Sequence, residues 1–362
     1  MRIVVFGLTI SSSWGNGHAT LWRGLAGALA RRGHSLVFFE RDVPYYAAAR
    51  DLTAIPGGEL VLYEDWSEVA AQAARAVASA DVAMVTSYCP DALPATAVVL
   101  AAGRAARVFY DLDTPVTLAR LGRDEPVGYV GPDGLGGFDL VLSFTGGPAL
   151  AELRDRLDAR RTAPLYGHVD PAVHRPVPSQ DRFRSDLSYL GTYSADRQGV
   201  LTALFVDPAR RLPEGRFLIG GAQYPADFPW TPNIYFVRHL PPADHAAFFC
   251  SGRLTLNVTR QAMAAMGWCP SGRLFEAAAC GVPILSDLWQ GFGEFFVPGR
   301  EVLVAGTTEE ALDALSIGDA ELGRMAGAAR DRVMAEHTSD RRVLDLEAAL
   351  ERLGEPLTLA ES

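Results

Sequence analysis

Four short segments of the chain contain residues able to do chemistry, and each comes directly after a predicted strand. The first, residues 15–18, reads GNGH and opens a predicted helix. Glycines there let a backbone approach a ligand closely, and the start of a helix offers free N–H donors. The spacing matches neither GxGxxG nor GxxxxGKS/T, so it predicts neither a dinucleotide site nor a P-loop. His18 is a candidate base because imidazole titrates near neutral pH; a capping or packing role explains this residue equally well.

The second segment, residues 110–115, reads YDLDTP at the end of the fifth predicted strand. Two aspartates in a D-x-D pattern suggest a divalent metal, but aspartate and threonine before a proline are also ordinary at a helix start. We therefore expect no metal site. Asp113 is instead a candidate for orienting His18, since both residues follow strands of one sheet.

The third segment suits a phosphorylated ligand. Residues 191–193, which read GTY, follow a strand, and Arg197 comes shortly after them. An arginine beside a glycine-containing loop suits a diphosphate. By itself, Arg197 is equally well explained as a surface residue.

The fourth segment is the most specific. Residues 271–283 read SGRLFEAAACGVP, and Arg260 precedes them. A helix beginning at this glycine would place its N-terminus and Arg273 where both can meet a phosphate. Glu276 follows one turn later on the same helical face and could accept both hydroxyls of a ribose. A structural role explains the glycine and proline at the end, but not a glutamate in a small, apolar helix.

Alternating apolar strands and amphipathic helices position these segments. The pattern predicts parallel strands buried on both faces, which is a doubly wound α/β sheet. The predicted strands are residues 2–7, 35–40, 59–63, 81–87, 107–111, 139–144, 187–190, 217–220, 234–237, 254–258 and 282–286. The predicted helices are residues 19–32, 66–80, 92–102, 116–122, 148–158, 197–205, 243–250, 272–280, 309–315, 319–336 and 339–352.

A proline cluster between residues 164 and 178 interrupts this pattern and predicts a linker. We expect two Rossmann-like domains, residues 1–168 and 169–338, facing an interdomain cleft. The last helix, within residues 339–362, is expected to cross back to the N-terminal domain. Ligands of such sheets bind beyond the carboxyl ends of the strands, where all four segments lie.

Composition excludes several classes of protein. The chain has 362 residues, 49% of them hydrophobic, and a net charge of −10, so it can bury sizeable cores and is a poor general binder of nucleic acid. Its 4 cysteines form no CxxC pair, which argues against a zinc site or a disulfide framework. The N-terminus does not read as a signal peptide, and we find no apolar run of about 18 residues. We expect a cytoplasmic protein without a transmembrane segment; its oligomeric state stays open.

The second half of the chain resembles the nucleotide-sugar domain of GT-B glycosyltransferases, in which a helix reading E-A-hydrophobic-A-x-G-x-P contains a ribose-binding glutamate. More narrowly, the chain resembles the CgeB-like, spore-maturation-type glycosyltransferases. The similar stretches are YLGTYSADR at 189–197, LNVTR at 256–260 and RLFEAAACGVP at 273–283. Residues 111–115 are similar to the N-terminal half of that family. The resemblance implies a GT-B architecture.

The resemblance also implies roles for individual residues. Glu276 would bind the ribose, and three arginines would bind the diphosphate. Residues 234–240, IYFVRHL, would read the base. The implied nucleotide-sugar site comprises Gly17, Thr192, Arg197, Arg238, His239, Arg260, Arg273 and Glu276.

The opening of the chain is similar to that of inverting GT-B enzymes, which implies that His18 is the base and Asp113 its orienting partner. One departure concerns Trp268, which stands eight residues before Glu276. Many retaining GT-B enzymes have a second glutamate at that position. The stereochemical outcome therefore stays open.

We expect a metal-independent glycosyltransferase that needs no cofactor. It would move a hexosyl or deoxyhexosyl group from a nucleotide-diphosphate sugar, its co-substrate, to a small-molecule, glycan or protein acceptor. Nucleic acid is not an expected partner. Two alternatives stay open: a nucleotide-sugar epimerase of the same fold, and a non-catalytic nucleotide-sugar binder.

Overall fold

The computed structural model describes residues 1–355. The chain forms two compact units, one made of Met1–Tyr166 with the segment from Ser339 onward, the other of Gly167–Thr338. Each unit contains one parallel sheet connected through helices. The predicted fold, two doubly wound Rossmann-like domains, is confirmed. Within the described residues, no helix is both long and apolar enough to span a membrane.

The first unit is built on seven parallel strands in the order β3-β2-β1-β4-β5-β6-β7. Its strands are β1 (Arg2–Gly7), β2 (Ser35–Arg41), β3 (Glu59–Tyr63), β4 (Val82–Thr86), β5 (Ala106–Asp111), β6 (Leu140–Ser143) and β7 (Thr162–Pro164). The helices between and after these strands are α1 (His18–Arg31), α2 (Pro44–Ala47), α3 (Trp66–Ala78), α4 (Ala92–Leu100), α5 (Thr114–Leu121) and α6 (Ala149–Leu157). The strand order reverses between β1 and β4, and such a switch point opens a crevice at the carboxyl ends of the strands.

The second unit has six parallel strands in the order β10-β9-β8-β11-β12-β13. They are β8 (Ser185–Leu190), β9 (Phe217–Gly221), β10 (Ile234–Arg238), β11 (Gly252–Asn257), β12 (Ile284–Ser286) and β13 (Leu303–Val304). The helices are α7 (Gln198–Leu201), α8 (Asp207–Arg211), α9 (His245–Ser251), α10 (Gln261–Met266), α11 (Gly272–Ala279), α12 (Thr308–Ser316) and α13 (Asp319–Glu336). Its switch point lies between β8 and β11.

The structure differs from the predicted elements in a few places. The strands β7 and β13 and the helices α2 and α10 were not predicted, because they are too short to give a periodic signal. The helix predicted at 197–205 continues through a π-helical segment, Thr202–Val206, into α8. Pro208 permits this continuation because it lies in the first turn of α8, where a missing N–H leaves few bonds unmade.

The last helix, α14 (Ser339–Glu351), lies in the first unit, where it packs against α1. Arg31 donates two hydrogen bonds to Asp340, each 3.0 Å long. Arg32 and His34 both donate to the carboxylate of Glu347, at 2.6 and 2.7 Å. These contacts join α14 to the C-terminal end of α1 within one unit.

Candidate functional site

A histidine and an aspartate that are 95 residues apart meet at the switch point of the first unit. His18 begins α1, after the loop that follows β1, and Asp113 directly precedes α5 after β5. The Nε2–H of His18 donates to Oδ2 of Asp113 at 2.9 Å. Nδ1 of the same ring is buried and has no hydrogen-bond partner among residues 1–355. A ring whose Nε2 proton is held by a carboxylate presents a lone pair on Nδ1, which is the form needed to accept a proton.

Asp113 is held through both its side chain and its backbone. The hydroxyl of Ser87 donates to Oδ2 at 3.0 Å, and the backbone N–H of Asp113 donates to Oδ1 of Asp111 at 2.9 Å. The same Ser87 hydroxyl oxygen accepts the N–H of Leu112 at 3.0 Å. Ser87 was not predicted as a site residue. It follows β4, which lies between β1 and β5 in the sheet, so the strand order would have pointed to it.

Asp111 is completely buried behind this pair, and its Oδ2 has no partner in the described part of the chain. Burial raises the pKa of this carboxyl to about 7, and the negative charge of Asp113 adds to the effect. The strand ends at Asp111, and the two carboxylates make different contacts: Asp113 binds His18 and Ser87. The D-x-D segment is therefore not arranged as a pair of metal ligands.

The loop that leads to His18 is held by a buried carboxylate that the sequence analysis missed. Glu40 accepts the hydroxyl of Thr9 at 2.8 Å, the N–H of Ile10 at 2.8 Å, and both the N–H and the hydroxyl of Ser11, at 3.0 and 2.6 Å. Its signal was a charged residue near the end of the apolar strand SLVFFER. Four donors on one carboxylate hold this part of the loop in place.

Close to His18 the loop is open. The side chain of Asn16 accepts the N–H of Ala19 at 3.0 Å and so satisfies one free donor of α1. Gly17 precedes α1, and no atom lies within 4 Å of the position that a Cβ would take there. Packing therefore does not require a glycine at residue 17.

In the second unit, Arg273 and Glu276 form an ion pair on α11. Nη1 of Arg273 donates to Oε2 of Glu276 at 2.5 Å, and the hydroxyl of Ser271 caps the helix by accepting the N–H of Arg273 at 3.3 Å. Glu276 is only 3% exposed. Burial alone would raise its pKa, but the positive charge of Arg273, with smaller contributions from two histidines, lowers it to about 2. The carboxylate is therefore charged at neutral pH.

The two histidines are His174 and His245, which were not predicted as site residues. Nε2 of His174 lies 3.9 Å from Oε2 of Glu276 and has no hydrogen-bond partner within residues 1–355. Burial lowers the pKa of both rings, to about 3 for His245, and the charge of Arg273 lowers them further. Both rings are therefore neutral at pH 7.

His174, His245 and Glu276 each offer a ligand atom, and these atoms lie within 4.8 Å of one another. Two histidines and a carboxylate can bind zinc or iron. The guanidinium of Arg273, however, already binds Oε2 of Glu276 and would repel a cation. With Arg273 in this position, the group fits a charged carboxylate between neutral rings better than a metal ion.

Two arginines lie near the switch point of the second unit. Nη1 of Arg197 donates to the hydroxyl of Tyr189 at 3.2 Å, while its Nε is buried and lacks a partner in the part of the chain described. Burial raises the pKa of Tyr189, and the charges of Arg197 and Arg273 oppose this rise, so both guanidiniums act on the same phenol. Thr192 is half-buried in the loop between β8 and Arg197. A charged donor without a partner beside a second arginine favours an anion.

The remaining predicted residues are more dispersed. Arg260 follows β11, and its Nε lies 3.9 Å from Oδ2 of Asp196. Arg238 and His239 lie at the end of β10, which is two strands away from β8 in the sheet. Arg197 follows β8, so these residues do not share a strand end with Arg197. Trp268, at the position of the absent glutamate, has a φ of +44° and donates its indole N–H to Glu294 at 2.5 Å.

Two doubly wound α/β units of this kind form the GT-B fold of glycosyltransferases. Residues 197–348 match a protein family described as "Glycosyl transferase-like". No curated protein matches the chain in sequence.

Three solved structures of this fold illustrate the similarity. Sucrose-phosphate synthase from Thermosynechococcus elongatus is 14% identical with a TM-score of 0.67, over 97% of this chain and 98% of that one. An alpha-glucosyltransferase in complex with UDP and a 13-mer DNA is 12% identical with a TM-score of 0.72, over 97% and 99%. Anabaena Alr3699/HepE in complex with UDP and glucose is 14% identical with a TM-score of 0.67, over 97% and 99%. At sequence identities this low, the similarity shows a shared fold and nothing further.

Proposed function

We propose that the protein is a metal-independent glycosyltransferase of the CgeB-like group, which transfers a hexosyl or deoxyhexosyl residue from a nucleotide-diphosphate sugar to an acceptor hydroxyl. Complexes of proteins with this fold contain UDP-glucose or UDP, which favours a uridine diphosphate donor. The observation that supports the reaction is the bond between His18 and Asp113, with Nδ1 of His18 buried and unpartnered in the described chain.

His18 is the proposed base. Its Nδ1 takes the proton of the acceptor hydroxyl while that oxygen attacks the anomeric carbon of the donor. The carboxylate of Asp113 stabilises the imidazolium that forms and keeps the ring in its orientation. A base of this kind contributes about 10²–10⁴-fold to the rate.

The donor site is proposed on the second unit. As the bond between the anomeric carbon and the diphosphate breaks, Arg197, Arg273 and the N-terminus of α11 neutralise the negative charge that remains on the diphosphate. Glu276 binds the ribose, Arg260 adds positive charge beyond β11, and the backbone beside Arg238 and His239 contacts the base. In this assignment Thr192 permits a close approach of the donor, whereas Gly17, in the first unit, is assigned to the donor by the family resemblance alone. No metal or further cofactor takes part.

A direct displacement by the acceptor inverts the anomeric carbon, and Trp268 in place of a second glutamate agrees with that outcome. The net charge of −10 favours a small molecule, glycan or protein over DNA as the acceptor, although an alpha-glucosyltransferase of this fold forms a complex with DNA. Four free cysteines favour the cytoplasm.

The test is an assay of UDP release from UDP-glucose and from other UDP-sugars. We expect binding of at least one nucleotide sugar by thermal shift, and nucleotide release that accelerates when an acceptor is added. A chain that binds no nucleotide sugar would disprove the proposal, whereas binding without turnover would favour the non-catalytic alternative.

A further inference from the structure

Two exposed tyrosines of the first unit have no place in the proposed chemistry: one contacts the ring of His18, and the other contacts the loop that leads to His18. The ring centroid of Tyr88 lies 6.3 Å from that of His18, and the two rings are nearly perpendicular at 79°. Tyr88 is 37% exposed and Tyr45 is 52% exposed. The Tyr45 hydroxyl lies 2.8 Å from the position that a Cβ on Gly15 would take, so Tyr45 packs against the loop that leads to His18.

The backbone at Tyr88 is strained, since its φ is +58°. This region disfavours any residue with a bulky side chain, and such residues persist only where the surroundings enforce them, often at ligand sites. Tyr88 follows β4 between two bonded neighbours: Ser87 donates its N–H to Tyr110 at 3.1 Å and Cys89 donates to Thr86 at 3.3 Å. The ring of Tyr129 packs against that of Tyr88, with the two ring centroids 5.1 Å apart. The fold therefore holds an aromatic ring beside the proposed base at an energetic cost.

The groups around these rings are polar. The imidazole of His18 lies at the ring of Tyr88, and the carboxylate of Asp113 binds that imidazole at 2.9 Å. Tyr46 lies beside Tyr45, with ring centroids 5.1 Å apart, and burial raises the pKa of its hydroxyl, with smaller contributions from Tyr45, Glu40 and Asp113. An aromatic face combined with carboxylate and hydroxyl groups suits a ligand that has an apolar ring face and a rim of hydroxyls.

We propose that Tyr88 and Tyr45 form an acceptor subsite for a saccharide, whose ring stacks on Tyr88 and whose nucleophilic hydroxyl reaches Nδ1 of His18. The unpartnered Nδ1 supplies an independent reason, because buried polar atoms without a partner are rare and a ligand hydroxyl is the donor that this atom lacks. The inference rests on the proposed function for the identity of the acceptor, but the binding of a saccharide at Tyr88 can be measured without turnover.

The probes are methyl glycosides of glucose, galactose and mannose, which have a ring face but no aromatic group; benzyl alcohol, which is aromatic but not a sugar; and glycerol, which has hydroxyls without a ring. Saturation-transfer NMR on the full chain measures their binding. We expect at least one methyl glycoside to bind more tightly than benzyl alcohol and glycerol. We expect Tyr88→Ala to weaken its binding by about threefold to tenfold and Tyr88→Phe to retain it. Trp230→Ala, a change at an aromatic residue that is 38% exposed in the second unit, is the matched control.

Circular dichroism verifies that each variant is folded. The inference is overturned if none of the methyl glycosides binds, if benzyl alcohol binds more tightly than all of them, or if Tyr88→Ala binds as the wild type does. Failure of the proposed function is seen separately, as an absence of nucleotide-sugar binding or nucleotide release while saccharide binding at Tyr88 persists.

Discussion

Asp113 binds the Nε2–H of His18 at 2.9 Å and thereby leaves Nδ1 as the nitrogen able to accept a proton. The position of this pair follows from the topology, since the strands that precede the two residues, β1 and β5, are separated only by β4 in a parallel sheet. Their loops consequently meet at one edge, where Ser87 completes the arrangement by binding the same carboxylate oxygen.

Replacing the carboxylate tests the orienting role of Asp113. Asp113→Asn removes the negative charge that stabilises the imidazolium, so we expect kcat to fall by about 10²-fold or more while the donor Kd is unchanged. Asp133→Asn, at an exposed aspartate of the same unit, is the control and should match the wild type. If Asp113→Asn retains full kcat, Asp113 does not assist the base.

The buried carboxyl of Asp111 predicts a pH dependence of stability. Its pKa is raised to about 7 by burial, from an ordinary value of 3.8, so between these values the folded chain keeps a proton that the unfolded chain releases. The contribution of this group to the free energy of unfolding therefore falls as the pH rises through this window and levels off above about 7. Glu276, whose pKa is lowered from 4.5 to about 2, changes protonation only at lower pH.

Asp111→Asn retains an oxygen to accept the N–H of Asp113 but cannot ionise. We expect it to gain stability relative to the wild type between pH 5 and pH 8, as measured by the midpoint of urea unfolding at each pH. An equal difference between the two proteins at both pH values would show that Asp111 ionises normally in the folded state.

The ion pair on α11 predicts a specific loss of donor binding. Glu276→Gln removes a charged hydrogen-bond acceptor worth about 1.5–3 kcal/mol, which corresponds to roughly a 10- to 100-fold rise in the donor Kd. Glu321→Gln is a matched control, because Glu321 forms an equivalent pair with Arg324, three residues away on the surface of α13. Titration calorimetry with a nucleotide sugar measures both. Equal donor affinity in the two variants would refute the ribose assignment.

Removal of metals should leave turnover unchanged. The histidines and the carboxylate within 4.8 Å of one another are the only group of potential metal ligands found among residues 1–355, and Arg273 already binds that carboxylate. We expect nucleotide release to continue at an equal rate in excess EDTA. Loss of activity in EDTA and its recovery on adding zinc would place a metal at His174, His245 and Glu276.

Most of the fold was predictable because the parallel strands are short apolar runs bounded by polar residues. The first strand, Arg2–Gly7, and the third, Glu59–Tyr63, have the predicted bounds. In contrast, β13 has two residues and gives no periodic signal. The longest discrepancy is the helix that continues through Thr202–Val206 into α8. It could not be predicted, because the sequence does not show that Pro208 occupies a first helical turn.

The candidate site was predictable where it depends on strand ends. His18 and Asp113 could be paired from the sequence because each follows a strand of one sheet, although their catalytic roles stay predictions. His174 and His245 could not be found in this way. They reach Glu276 from the segment before β8 and from the start of α9, and neither segment has a motif that indicates its neighbour in space. Tertiary packing alone brings them together.

The central claim is that His18 is the base, and His18→Ala tests it most directly. Single-turnover transfer from a nucleotide sugar that binds the wild type should slow by about 10²–10⁴-fold in this variant, while the donor Kd measured by calorimetry stays at the wild-type value. His34→Ala, at a histidine that follows the C-terminal end of α1 and binds Glu347 of α14, is the control for a general effect of removing an imidazole. A transfer rate within a few-fold of the wild type, or a loss confined to donor affinity, would contradict the account.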